Sequence, residues 1–363
     1  MSYNPQEAKQ ILDFHKREFG IDFGAVTFAE PEWKRDYTMA MDAQPQIVTT
    51  ANNAIPQFLT AFLDPDILKV LTAKNAAVNI LGEKRKGSFT DVTAIFPVVE
   101  HTGEVSSYGD FSQNGRAGAN SSFPTREAYL YQVITEYGDL EMERQGLAKI
   151  GWANELKMAG INILNKFQNL TYFRGVAGLQ NYGLLNDPSL SPAIAPAPKA
   201  YNSGTSGPWV TNGVVTATAN EIYSDIQALY GLLVTQSAGN VSADTKMVLA
   251  LSPKSEMALT TTNTFNVNVH DLIKKNFPNL RIESAVQYGA LSASNPQGSA
   301  LGEIVQLIAE EVEGQETGYC AFNEKLRASP IIRDLSSYKQ KMTQGTWGCV
   351  IRQPFAVAQM LGT

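Results

Sequence analysis

The sequence predicts an α+β protein assembled from unlike parts in series. Three observations carry that reading. About thirty residues near the middle repeat apolar side chains at helical spacing, a later segment alternates strands with helices, and the last fifty residues lean towards strands. With 363 residues, 44% hydrophobic and 18% charged, the chain can bury a substantial core. Its length suits two or three domains, or one elaborate fold with a large insertion.

Residues 5 to 20 place Ala8, Ile11, Leu12 and Phe19 among charges, a short amphipathic helix with Gly20 as its stop. From Ile21 to Pro65 the text is mixed, and "ANNAIPQFLTAFLDPDIL" is its most apolar part, which reads as an arm packed against something else. Between Val78 and Val133, "FTDVTAIFPVV" and "REAYLYQVIT" are rich in β-branched and aromatic residues and read as strands. The two dozen polar, glycine-rich residues between them are more than a compact domain needs to reverse its chain, so the excursion reaches for a partner.

A helix is expected from about Asp139 to Tyr172, with Leu147, Ile150, Ala153, Leu156, Ala159, Ile163, Phe167 and Leu170 as its apolar stripe. At 1.5 Å per residue such a beam spans about 45 to 50 Å. Gly146, Gly151 and Gly160 each cost about 1 kcal/mol against alanine, which favours a bend or break near Gly146 to Gly151. The proline, glycine and serine-rich stretch after Asn186 reads as loop.

Thr218 and Glu221 form a capping box for a helix that aligns Ile222, Ile226, Leu229 and Leu233. "KMVLAL" reads as a strand, "SPKSEMAL" as a helix capped by Ser252 with Pro253 at its first position, and "VHDLIKKNF" as another helix. "LRIESAV" and "EIVQLIAEEV" add strands, completing an α/β unit of about a hundred residues. "GYCAFN", "ASPIIRDL", "KQKMTQGTWGCVIRQP" and "FAVAQML" suggest hairpins that add strands beside the long helix.

Charge and motifs exclude more than they assign. The formal net charge is −6 and the 29 basic residues are spread along the chain, which argues against a dedicated nucleic-acid face. Cys320 and Cys349 lie far apart in sequence and read as two half-buried thiols. The start "MSYNPQEAKQ" lacks a basic segment followed by an apolar one, and no apolar run reaches about 18 residues, so the chain is expected neither to cross nor to span a membrane. "GEKRKGS" has the glycine spacing of a phosphate loop, but Ser88 stands where the lysine is needed. Gly175, Gly178 and Gly183 follow a helix and miss dinucleotide spacing, so they read as a helix stop with a turn at Asn186-Asp187-Pro188.

His15, His101 and His270 have no companions at ligand spacing. The acids Asp139, Glu141 and Glu143 read as a charged helix start, and Glu310, Glu311, Glu313 and Glu316 as a strand and turn. Ser252 with Lys254 is better explained as a helix cap than as a dyad. The expectation is therefore no catalytic, cofactor-binding or metal residues, no cofactor and no enzyme.

The sequence resembles the major capsid proteins of tailed bacteriophages with the Hong Kong 97-type fold. The resemblance is carried by "FPVVEHTGEVSSYGDFS" (96–112), "FPTREAYLYQ" (123–132), "NKFQNLTYFRGVAGLQNYGLLNDP" (165–188), "HDLIKKNFPNLRI" (270–282) and "TWGCVIRQPFAVAQMLG" (346–362), in order along nearly the whole chain. It implies an N-terminal arm at 1–75, an extended β-hairpin loop at 76–127 and a peripheral domain with a spine helix at 128–190. An axial domain at 191–300 and closing strands of the peripheral domain at 301–363 follow. It further implies self-assembly through pentamers and hexamers into an icosahedral shell around double-stranded DNA, assembled in the host bacterial cytoplasm, with portal, scaffolding and decoration proteins as partners.

The arm leaves no obvious room for a cleavable scaffolding domain, so a separate scaffold protein is expected. Some family members cross-link a loop lysine to a neighbour's asparagine. Here Lys84 and Lys86 stand near the base of the loop and its outer part has none, so no cross-link is expected. Within the same fold the runner-up is an encapsulin-type compartment shell, and from another class a two-domain enzyme.

Overall fold

In the computed structural model, the structure describes residue 13, residues 75–147 and residues 151–363. The helix expected at 5 to 20, apart from Asp13, and the apolar arm residues lie outside the described residues. Chain contacts define two compact units. Among the described residues, one includes 136–147, 151–158 and 332–339, the other 75–135, 159–331 and 340–363.

The larger unit is organised by a four-stranded sheet and most of a five-stranded one, beside several two-stranded pairs. Helix α1 (Ala77–Leu81) leads into strand β1 (Glu83–Arg85), so Glu83, Lys84 and Arg85 of "GEKRKGS" are strand. Strands β2 (Thr93–Ile95), β3 (Val98–Glu104), β4 (Arg116–Ser122), β5 (Thr125–Glu127) and β6 (Tyr129–Gly138) follow. Along β6, Thr135 and Tyr137 are buried while Leu130, Gln132, Ile134 and Glu136 are exposed, the period of two that a one-sided strand imposes.

Two helices replace the single beam, α2 (Asp139–Leu147) and α3 (Trp152–Arg174), with Gly151 outside both. The buried face of α3 is not the apolar stripe read from sequence. Gly160, Leu164, Gln168, Asn169, Thr171, Tyr172 and Phe173 are buried, whereas Ile163 is 55% and Phe167 36% accessible. The reason is partnership. A Cβ on Gly160 would lie 2.6 Å from the Met342 methyl, so the helix packs close there. The polar residues are held by specific bonds: Asn169 Oδ1 accepts from Ala77 N–H, Gln168 Nε2 donates to the Tyr172 hydroxyl, and the Thr171 hydroxyl donates to the Gln168 carbonyl.

The stretch expected as loop contains short strands β7 (Pro198–Lys199), β8 (Thr205–Ser206), β9 (Val210–Thr211) and β10 (Val214–Val215). Helix α4 (Ala219–Gln236) carries the expected capping box, and Ile222, Ile226, Leu229 and Leu233 are fully buried. Each such side chain contributes roughly 1.5–3 kcal/mol on leaving water. Strand β11 (Met247–Leu251), helices α5 (Pro253–Ala258) and α6 (Val269–Asn276) and strand β12 (Leu280–Ser284) form as expected, with Ser252 capping α5.

Strand β13 (Ile304–Ala309), the hairpin strands β14 (Glu311–Val312) and β15 (Gln315–Glu316), then β16 (Gly318–Ala328), β17 (Ile332–Arg333), β18 (Ser337–Ile351) and β19 (Val357–Leu361) complete the chain. One sheet runs β12-β11-β13-β19, parallel between β11 and β12 and antiparallel elsewhere. The other places β16 between β1, its parallel neighbour, and β18, its antiparallel one, with β6 also on β18. The end of the chain therefore feeds both sheets: β16 and β18 enter one, β13 and β19 the other. The Arg174 guanidinium at the end of α3 donates to the carbonyls of Gln297 and Gly298, fixing the loop before β13 to the helix.

In the smaller unit, β17 and the start of β18 form a hairpin, with Ile332 opposite Lys339 and Arg333 opposite Tyr338. Tyr137 and Tyr338 stack at 5.4 Å, and Lys339 reaches both Glu136 and Asp334. Glu141 accepts from Trp152 Nε1 at 2.7 Å, so one member of the acidic group at the start of α2 has a structural partner.

Candidate assembly surface

The polar excursion is a ribbon. Strands β3 and β4 pair from Val98–Ser122 to Glu104–Arg116, and every residue of both strands is exposed. An isolated two-stranded ribbon is marginally stable at best in water, so a ladder bare on both faces is built to be covered. Its otherwise polar tip holds three bare large apolar side chains: Val105, Tyr108 and Phe111 are 101%, 93% and 99% accessible. Val99 and Phe123 continue the apolar exposure towards the root. Exposed apolar groups gathered on one element mark an interaction surface.

The root is the opposite in character. Strand β5 pairs with β2, Thr93 opposite Glu127 and Ile95 opposite Thr125. The turn after α3 then clasps β5. Glu127 N–H donates to the Gln180 carbonyl at 3.1 Å, Gln180 N–H donates to Glu127 Oε2 at 3.1 Å, and the Thr125 hydroxyl donates to Gln180 Oε1 at 2.6 Å. Asn181 Nδ2 donates to the carbonyls of Glu127 and Thr346, joining the ribbon, the turn and β18. Arg126 pairs with buried Asp187 at 2.8 Å and lies over the Tyr182 ring. Asp187 also accepts from the N–H and hydroxyl of Ser189.

This clasp gives the glycines between 175 and 183 a physical role. Gly175 ends α3 at φ 62°, where its N–H donates to the Thr171 carbonyl. Gly183 passes so close to the end of the helix that a Cβ would stand 2.2 Å from the Phe173 carbonyl carbon. Sequence reasoning found the glycines and the turn that holds Asp187 but missed Arg126, Glu127, Gln180 and Asn181 and the ion pair of Asp187. The one available signal was Asn and Asp clustered beside glycine, a pattern that marks local turns and gives no hint of partners over fifty residues away.

Further exposed apolar side chains lie on the same unit: Ile163 and Phe167 of α3, and Leu130 and Ile134 on the face of β6 turned away from that helix. On the smaller unit, Leu140, Met142, Ile332 and Leu335 are exposed, Leu335 at 97%.

The remaining candidates resolve into structure. Ser252 accepts from Ser255 N–H, and Lys254 faces Glu303 at 3.6 Å, a cap and an ion pair. Glu310 pairs with Arg281, and Glu316 with Lys84. His101 sits exposed in β3 opposite Ala119, His270 lies 3.9 Å from Asp271, and His15 is outside the described residues. Among the described residues no group of His, Cys, Asp and Glu could hold a metal ion. No described helix is long and apolar enough to cross a membrane. Cys320 and Cys349 are fully buried rather than half-buried, and they face each other across β16 and β18.

Comparison with known proteins identifies the fold and the family. The fold is similar to the capsid of Myoviridae phage XM1, with a TM-score of 0.67 at 12% identity over 85% of this chain and 99% of that one. It is also similar to chains from Gordonia phage Cozz, with a TM-score of 0.54 at 12% identity over 88% and 97%, and Mycobacterium phage Ogopogo, with 0.53 at 12% identity over 83% and 96%. These likenesses establish the Hong Kong 97-like fold. No curated protein matches the chain in sequence. The profile of the family described as Pa193 gp26 major capsid protein matches residues 46–362. This chain therefore belongs to the Pa193 gp26 major capsid protein family and is a structural protein of the capsid shell of a tailed phage.

Proposed function

We propose that the β3–β4 ribbon is the arm by which each subunit grips its neighbour, and that subunits gather as pentamers and hexamers into an icosahedral shell around double-stranded phage DNA. The observation that carries this reading is the ribbon itself, with Val105, Tyr108 and Phe111 bare at its tip, both faces exposed and its root clasped firmly. Many modest contacts of this kind multiply through closed symmetry. The division into arm (1–75), extended loop (76–127), peripheral domain (128–190 with 301–363) and axial domain (191–300) belongs to the same reading. So do assembly in the host cytoplasm and scaffolding, portal and decoration partners. The acidic balance of the chain keeps packaged DNA from sticking to the wall. The shell is held without covalent cross-links, because the ribbon between Val98 and Ser122 contains no lysine. The chemistry is assembly rather than catalysis.

The test is electron microscopy and solution sizing of the purified protein beside a variant lacking residues 105–113. Wild-type protein is expected to give shells or rings of five and six. The shortened variant should keep its circular dichroism and melting profile but stay unassembled. Shells formed equally well by the shortened variant would overturn the role given to the ribbon. Boiled, reduced subunits should migrate near 39.6 kDa, and ladders would overturn the absence of cross-links.

A further inference from the structure

The two cysteines of this chain stand 29 residues apart in sequence, yet the β16–β18 ladder makes Cys320 and Cys349 direct cross-strand partners. Their backbone bonds show which kind of pair this is. Cys320 N–H donates outward to the Gly82 carbonyl, and Cys349 N–H donates outward to the Tyr182 carbonyl. Neither donates to the other, so this is a non-hydrogen-bonded pair, the type with Cα atoms about 4.5 Å apart and side chains closest. That spacing lies inside the range of about 4.4–6.8 Å that a disulfide bridges without moving the backbone. Both side chains sit in one apolar cluster with Ala77, Tyr172, Phe173 and Tyr288, at 1% and 0% accessibility. A hydrogen bond that the neutral Cys320 thiol donates to the Cys349 sulfur, together with burial, holds the Cys320 thiol well above its usual pKa, which makes it slow to react while the fold is closed.

We propose that Cys320 and Cys349 are a latent disulfide site, closed by exchange with a small-molecule disulfide of the glutathione type once the protein leaves a reducing compartment. One cysteine thiolate attacks a sulfur of the reagent and expels one thiolate. The second cysteine attacks the mixed disulfide and expels the other. The two cysteine protons pass to the two leaving groups, so two cysteine thiols and one reagent disulfide become one protein disulfide and two small thiols. The bond would pin β16 to β18 at the last regular pairs before the ladder shifts register, between Ala321 and Phe322. Because both thiols are sealed, exchange proceeds through partial opening or during folding.

The experiment incubates the full chain with oxidised glutathione, folded, in sub-denaturing urea, and during refolding from urea. Each sample is then alkylated in denaturant, weighed intact and mapped by peptides. The expected product is a monomer lighter by two hydrogens, with a Cys320–Cys349 peptide, no alkylatable thiol, and a raised melting temperature that dithiothreitol reverses. Formation should be slowest in the folded sample. Cys349→Ser and Cys320→Ala should show neither the mass loss nor the melting shift. Two free thiols under all three conditions, glutathione adducts that never resolve, or only inter-chain dimers would overturn the proposal.

Discussion

The guanidinium of Arg126 and the carboxylate of Asp187 meet at 2.8 Å, with side chains 12% and 0% accessible. This pair ties the strand beneath the ribbon to the turn after α3. Breaking a pair of this kind from one side leaves a charge with little water and no counter-ion, which typically costs 3 kcal/mol or more. Asp187→Ala is expected to lower the unfolding free energy by about 3 kcal/mol in urea, and Asp187→Asn by less, since the amide oxygen still accepts from Ser189. Hydrogen exchange at residues 123–128 should rise in the same order. Unchanged exchange there would mean that the root is held by the backbone bonds alone.

Two glycines of the same turn separate space from conformation. Gly178 has φ +85° with nothing within 4 Å of an added Cβ, whereas Gly183 has the backbone of Phe173 and Arg174 at 2.2–2.4 Å. Gly178→Ala carries only the left-handed penalty, about 1–2 kcal/mol. Gly183→Ala must push one backbone segment off another. It should lose substantially more, or fail to accumulate as soluble protein, because the contact involves backbone rather than a side chain that could swing aside. Equal melting temperatures for the two variants would contradict this account.

Legibility in the sequence followed the range of the interactions. The capping box of α4 and the Ser252 cap of α5 were readable because all their partners lie within three residues. The α4 stripe was readable because it is buried in the ordinary apolar way. On α3 the same rule picked the wrong face, since Gly160, Gln168, Asn169 and Thr171 are buried through a close approach and through bonds to partners that periodicity does not register. Strand β4, "RAGANSS", has little β-propensity and no buried face, so only the family resemblance of the whole chain, which implies an extended hairpin loop at 76–127, suggested pairing. The clasp of Gln180 and Asn181 on Glu127 was invisible for the same reason.

Helix α4 and the segment that leads into it share a buried network of a different kind. Lys199 Nζ and Asp225 Oδ2 lie 2.5 Å apart, both side chains fully buried, and Asp225 also accepts from Trp209 Nε1 at 2.7 Å and Ala197 N–H at 2.9 Å. Asp225→Ala strands a buried ammonium and an indole N–H together, and about 3–5 kcal/mol of stability should be lost. Lys199→Met combined with Asp225→Leu removes both charges and should cost clearly less than the two single losses added together. A double-mutant cycle measured in urea decides it: additive values would show that the pair is not coupled.

At the surface end of that network, Glu221 titrates against folding. Burial pushes its carboxyl upward. Hydrogen bonds from the N–H groups of Ala200 and Thr218 and from the Thr218 hydroxyl, with the charge of Lys199 nearby, outweigh it and leave the pKa lowered. A carboxyl whose folded pKa lies below its unfolded value, about 4.3 for glutamate, contributes stability that is fully present above that value. The contribution is lost as pH falls through the lower, folded value. The capping box as a whole is worth about 1 kcal/mol. Glu221→Ala should therefore be less stable than wild type by about that amount at neutral pH, and the gap should narrow only below about pH 4. Thr218→Ala removes the hydroxyl that donates to Glu221 Oε2 and accepts from Glu221 N–H, so it should show a similar loss at neutral pH. Part of its deficit should persist in acid, because the N–H bond to the hydroxyl does not require an ionised carboxylate. A gap for Glu221→Ala that widens on acidification would reverse the assigned sign of the shift.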